Sequence, residues 1–196
     1  MPIKGKIIPI YNCFHPVLRE QCKDIFEADE KLAQQIADMA ITMTNADGIG
    51  LAANQVGFTN RIFLIDINAG KEGAEQKPFA MINPVITASS EEEVTFQEGC
   101  LSIPYLYENV DRPEAIEVRF LDNQMNEQKI QVDGIIARVI MHELDHLNGI
   151  LFTDKMTSLQ KAMAKNKLNK ILKNKISLKY DMIDKDGNLI KPESVA

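Results

Sequence analysis

The stretch "GIIARVIMHELDHLNG", Gly134 to Gly149, constrains this chain more than any other. It is apolar nearly all round, and a helix without a polar face belongs inside a fold rather than on its surface. Yet it carries two of the chain's three histidines, His142 and His146, with Glu143 directly after the first. Burying two imidazoles and a carboxylate costs free energy unless something pairs with them. On a helix, residues i and i+4 project from one face, so both imidazoles can reach a single ion at about 2.0–2.1 Å each. Glu143 is rotated away by one residue's turn. It stands beside such an ion rather than on it, placed to take a proton from water activated there. The H-E-x-x-H pattern is therefore a hydrolase signature and not only a pair of ligands.

A catalytic metal needs a third protein ligand and one open position. In the metzincin proteases a third His follows six residues after the second, where this chain has Phe152, and no His occurs after His146. A glutamate from a later helix is no better, because the only one left is Glu193, near the end. The third ligand is therefore expected upstream. Cys100, in "FQEGCLSIP", offers a thiolate that suits zinc or ferrous iron. Gly99 lets the backbone come close there, and Pro104 stiffens the segment after it. Cys13 and Cys22 read as small buried hydrophobes, and His15, before Pro16, as structural or exposed. Three irregularly spaced cysteines make no disulfide framework, so a reducing, cytoplasmic setting is expected.

At 196 residues the chain suits one domain. No apolar run approaches the ~18 residues of a membrane span, and the first twenty residues lack a continuous secretory apolar region. "DEKLAQQIADMAITMTNADG" predicts an amphipathic helix, with Leu32, Ile36, Met39 or Ala40, and Met43 on one stripe. "RIFLIDIN" predicts a buried strand, "FAMINPVITA" a strand that Pro84 sends to an edge or a bend, and "EEVTFQEG" another. "AIEVRFLDNQMNEQKIQVDG" reads as a hairpin. Asp133 is placed to cap the histidine-bearing helix, and Asn148-Gly149 to end it. A last helix over about 158–173 carries Ala164, Leu168, Ile171 and Leu172 together. The order predicts an α+β fold: antiparallel sheets packed around a buried central helix, with an N-terminal amphipathic helix and a C-terminal helix. Residues 1–155 are expected to form the catalytic body, and 156–196 a basic helix and tail of the same domain. Between Met156 and Tyr180 lie seven lysines and no acid, so a net charge of −6 leaves −13 on the rest. The total excludes a general nucleic-acid footprint and specific DNA binding, while the segment after Asp154 is expected to be separable from catalytic turnover.

"GIGLAANQVG", Gly48 to Gly57, fails the dinucleotide pattern at Ala53 and follows a helix rather than a strand. Its small residues permit close approach of a peptide or of the central helix, and Gln55 can donate its amide to a carbonyl oxygen. With "GIGLAANQ", "EGCLS" and "HELDH" in that order, the sequence resembles the peptide deformylase family over about residues 5–175.

The resemblance implies a metal-dependent hydrolase that removes the formyl group from formylmethionyl nascent peptides and releases formate. It implies Cys100, His142 and His146 as ligands of one divalent metal, ferrous iron natively, with zinc, nickel or cobalt able to substitute. Glu143 is implied as the general base, with Gln55 and the Leu101 N–H stabilising the oxyanion. The methionine side chain is placed by Ile49, Ile135, Val139 and His142, and the peptide backbone by Gly50 and the segment of Glu98 and Gly99. Glu98 is expected to pair with Arg112 behind the site. Tyr105-Leu106-Tyr107 stands where many bacterial relatives have an Arg, and Arg138 on the central helix needs a partner or an exit to solvent. A peptide-bond metalloprotease lacks its downstream ligand here, and a metal-stabilised binding module has no use for Glu143 and Gln55. The basic C-terminal helix suggests ribosome association, since ribosomal surface is largely RNA phosphate.

Overall fold

A computed structural model describes residues 3–69 and 71–192. The chain order is β1 (Ile10–Tyr11), α1 (Glu30–Asn45), β2 (Gly50–Ala52), β3 (Ile62–Asp66), β4 (Pro78–Ser89) and β5 (Glu93–Cys100). It continues through β6 (Ile103–Pro113), β7 (Ala115–Leu121), β8 (Glu127–Asp133), α2 (Gly134–Leu147), α3 (Ser158–Leu172), β9 (Met182–Ile183) and β10 (Leu189–Ile190). This is a mixed α+β fold with antiparallel sheets. Among the described residues no helix is long and apolar enough to cross a membrane.

The main sheet has the order β2-β3-β4-β7-β8, antiparallel throughout. Successive strand side chains point to opposite faces, and β3 uses both. Phe63 and Ile65 join the core cluster that holds Ala137, Ile140 and Leu144 of α2. Ile62 and Leu64 join the cluster that holds Leu32, Met39 and Met43 of α1. A strand covered on both faces is a continuous apolar run, as "IFLID" is. The Asp29 carboxylate caps α1, accepting from Leu32 N at 2.7 Å. Pro84 does not push β4 to an edge, since β4 pairs on both sides. The pairing with β7 instead shifts register between Ile82 and Val85, beside Asn83 at φ +49°. A proline with no N–H to donate is tolerated at such a bulge.

The β5–β6 hairpin forms a separate two-stranded sheet. Strand β6 was not expected from the sequence, because its inward side includes Arg112 and its run is broken by Pro104, Asn109 and Pro113. Asp133 precedes α2, but its side chain makes no capping bond. Gly149 ends that helix region at φ +73°, where an added Cβ would press on the Arg19 carbonyl.

The C-terminal segment departs most from its reading as an appendage. Met156, Ala164 and Ile171 belong to a third core cluster with Leu18, Leu106 and Phe152. Strand β9 pairs with β1 in parallel and with β10 antiparallel, a sheet too short to leave a periodic trace in the sequence. Removing everything after Asp154 therefore opens a core, and turnover is expected to survive it only if the shortened chain still folds. Ile171→Ala is expected to lower unfolding free energy by about 2–5 kcal/mol. Leu159→Ala, on the exposed side of α3, should change it by less than about 0.5 kcal/mol. Urea denaturation of both variants checks this, and equal stabilities would mean the helix merely rests on the body.

Candidate metal centre

Helix α2 presents His142 and His146 from one face, with ring centroids 5.0 Å apart. Cys100 comes from the end of β5, where the hairpin shifts register between Gly99 and Cys100. Such an irregularity re-aims a side chain, and here it brings Cys100 Sγ within 3.2 Å of His146 Nε2. One donor atom from each of Cys100, His142 and His146 lies within 4.8 Å of the others. Ligands around a tetrahedral ion stand about 3.5 Å apart, so thiolate and imidazoles fit a divalent metal in chemistry and spacing.

Glu98, next but one to Cys100, holds this arrangement from behind. Its Oε2 meets His142 Nδ1 at 2.8 Å, which leaves the other ring nitrogen for an ion. Arg112 forks onto the same carboxylate at 2.6 and 3.0 Å, confirming the expected pair, and also reaches Asp145 at 2.6 Å. Arg138 finds its partner here too. Its guanidinium donates to Glu98 Oε1 at 2.9 Å and to the Val110 and Val94 carbonyls, and lies over the Phe96 ring. Burial alone would raise the Glu98 pKa, but the hydrogen bonds from His142 and Arg112 hold it well below the usual carboxylate range. The Glu98 side chain is therefore committed to Arg112, Arg138 and His142.

Burial opposes charge on His142, but the Cys100 sulfur and Glu98 outweigh it and raise its pKa to about 10 in the metal-free chain. His146 goes the other way, held neutral by burial and by the neighbouring His142. Burial pushes the Glu143 carboxyl up to about 7, close to the operating range of a general base. Glu143 Oε2 is buried, and no described side chain or backbone group bonds to it. Gly50 makes room for it, since an added Cβ would collide with Glu143 Oε1 and approach Val139 Cγ1 at 2.8 Å. Phe152, in place of a third histidine, stacks on His142 at 5.9 Å.

Gln55 sits in a short 3-10 turn, Ala53–Val56, after β2. Its Oε1 accepts from Ala52 N at 2.8 Å, which fixes the amide orientation. Nε2 then points at Cys100 Sγ (3.4 Å) and Ser102 Oγ (3.2 Å). A cavity of about 480 Å³ opens over these groups. Ile49, Gly50, Glu98, Gly99, Leu101, Ile135 and Val139 all line it, together with Gln55, Cys100, His142 and Glu143. Cys13 and Cys22 stay outside, their thiols pushed by burial to about 12 and about 11. His15 is structural, accepting from Val17 N and packing edge-on to Tyr11. Glu193 lies outside the described residues.

Several contributors escaped the sequence reading. Ser102 and Asp145 lie inside the quoted "EGCLS" and "HELDH", so their motifs could have flagged them. Asn54, whose amide donates to the His146 carbonyl at 2.5 Å, had only its place beside Gln55. Leu178, Lys179 and Tyr180 line the cavity from the far end of the chain with no local signal at all.

Three converging thiol and imidazole donors beside a buried carboxylate are the equipment of a metal-dependent hydrolase. Comparison with known proteins gives the family. The polypeptide deformylase family model matches residues 7–162. The peptide deformylase of Salinibacter ruber is 39% identical over 192 residues, covering 94% of this chain and 98% of that one. That of Rhizobium meliloti is 41% identical over 167 residues, covering 85% and 95%. The crystal structure of a Legionella pneumophila peptide deformylase superposes with a TM-score of 0.78 at 37% identity, covering 86% of this chain and 97% of that one. One from Synechococcus elongatus, in complex with actinonin, gives 0.75 at 40%, covering 82% and 85%. The chain belongs to the polypeptide deformylase family, whose known function is metal-dependent removal of the formyl group.

Glu98→Ala leaves two buried guanidiniums without their shared carboxylate, and is expected to cost about 3–5 kcal/mol of stability. Because the folded pKa of Glu98 is depressed, its contribution is complete above the ordinary carboxylate range and is lost as pH falls through the lowered value. Chemical denaturation at neutral pH measures the loss, and a change below about 1 kcal/mol would show that solvent already screens the network.

Proposed function

We propose that this protein removes the formyl group from the formylmethionyl end of newly made polypeptides, with Cys100, His142 and His146 holding one divalent ion. The convergence of these three donors beside buried Glu143 carries the reading. A metal held there supplies Lewis acidity and makes water more acidic. Glu143 takes the proton of the attacking water and returns it to the departing amine. Gln55 Nε2 and the Leu101 N–H donate to the formyl oxygen as its negative charge grows, worth about 3–4 kcal/mol each. The donor set accepts ferrous iron, zinc, nickel or cobalt, and we take ferrous iron as the native ion from the family resemblance. The burial of α2 against β3, β4 and β7 supports its reading as the central helix of the fold.

The methionine side chain is assigned to the apolar wall of Ile49, Ile135 and Val139, beside His142. Strand β2 ends the main sheet, and β5 pairs only with β6, so both carry unpaired backbone where Gly50 and Gly99 border the cavity. A peptide lying between them adds as a strand, through main-chain bonds that ignore sequence. Formate release from formyl-Met-Ala-Ser tests these roles. Glu143→Gln should keep its metal and lose turnover by a factor on the order of 10²–10⁴. With wild type, alanine in place of methionine should lower kcat/KM by the equivalent of about 1.5–3 kcal/mol. Near-normal turnover by Glu143→Gln would remove it from the mechanism.

The cytoplasmic setting and the ribosomal partner belong to the same proposal. Lys165, Lys170, Lys173 and Lys175 are exposed in or just after α3, and a basic surface is drawn to RNA phosphate in a salt-dependent way. Replacing these four lysines by Gln should weaken co-sedimentation with ribosomes and leave formyl-tripeptide turnover intact. Binding indifferent to salt and to the four changes would leave α3 a structural helix.

A further inference from the structure

Cys100 and Ile103 pair across a tight turn whose corners are Leu101 and Ser102. The central peptide of such a turn belongs to no ladder, and flips by rotation at the two corners with little disturbance to the strands. Here the turn is held from outside. The Leu101 carbonyl accepts from Tyr180 Oη at 2.7 Å, and the Ser102 carbonyl from Cys13 N at 2.9 Å. The Ser102 hydroxyl in turn meets Gln55 Nε2 at 3.2 Å. A flip of the Leu101–Ser102 peptide would break the Tyr180 bond and leave the turn, with the Leu101 N–H and the Ser102 hydroxyl on its two corners, without that outer anchor.

Tyr180 is itself anchored. Ile10 N donates to Asp181 O at 3.0 Å and Asn12 N to Ile183 O at 2.9 Å, so the stretch from Ile10 to Cys13 ties both the turn and the C-terminal segment. Burial raises the Tyr180 pKa, which keeps the phenol protonated as a donor. Leu178, Lys179 and Tyr180 also line the cavity. All three lie beyond residue 162, where the match to the family model ends.

We propose that Tyr180 is a positioning residue for deformylation: its hydroxyl locks the turn that carries Cys100 and the Leu101 N–H, and so aligns both oxyanion donors. The proposal rests on the oxyanion roles given above to Leu101 and Gln55. Tyr180→Phe in the full chain tests it, because the ring and the cavity wall remain and only one hydroxyl is lost. Its kcat per bound metal for formyl-Met-Ala-Ser should fall about tenfold, the scale of one hydrogen bond's worth of alignment lost by the oxyanion donors. KM and metal content should stay within about twofold of wild type, the pattern of a transition-state rather than a binding defect. Unchanged kcat per metal overturns the proposal. So does a fall in kcat matched by lost metal or lost fold, which would mark the hydroxyl as purely structural. Gln55→Ala, measured alongside, should lose kcat by about 10²–10³. Full activity of Gln55→Ala would overturn the oxyanion reading itself. A slow Gln55→Ala beside an unimpaired Tyr180→Phe overturns only the role of Tyr180.

Discussion

The structure depends on one buried carboxylate. Strand β5 belongs to a two-stranded sheet that shares no ladder with the main sheet, so backbone hydrogen bonds do not set the distance from Cys100 to the histidines of α2. Glu98 sets it instead. It binds His142 and Arg138 of α2 and Arg112 of β6 at 2.6–3.0 Å, and Arg138 extends the tie to the Val94 and Val110 carbonyls. A hydrogen-bonded ion network is directional in a way that apolar packing is not. Placing donors to within fractions of an ångström calls for that directionality.

The same separation of sheets makes the cavity. Two sheet edges, at Gly50 and Gly99, border the cavity over the donors, and each glycine has a specific occupant for its missing side chain. At Gly50 it is Glu143, and at Gly99 it is the Tyr107 ring. The main chain is thereby kept close to the donors, while burial holds the pKa of the Glu143 carboxyl near neutrality. Burial is both the cost of the site and the source of its chemistry.

The two ends of the chain meet at the remaining wall. Strand β1 pairs with β9, and the residues flanking them, Cys13 and Tyr180, hold both carbonyls of the turn after Cys100. The 3-10 turn at Ala53–Val56 supplies Gln55 from a third direction. An amidohydrolase site on this fold is thus assembled from five places in the sequence, each rigid for its own local reason.

Much of this was legible in the residues. The apolar run around "HELDH" required burial, the i, i+4 histidines required one face, and the absence of a later ligand sent the search to Cys100. Helix α1 and the β7–β8 hairpin follow from periodicity, because each covers a face with side chains at regular spacing, and strand β3 follows from an unbroken apolar run buried on both faces. Strand β6 did not, since a buried Arg112 reads as a surface residue until its carboxylate is known. The C-terminal wall did not either: β1, β9 and β10 are two residues long, and two residues have no period. Residue type and local spacing determined which atoms can bind a metal, carry a proton and form a core. Only the tertiary structure decided that Glu98 gathers two arginines and a histidine, and that Tyr180 reaches Leu101. Those contacts join residues far apart in the chain, and a long-range polar contact leaves no pattern in the sequence around either partner.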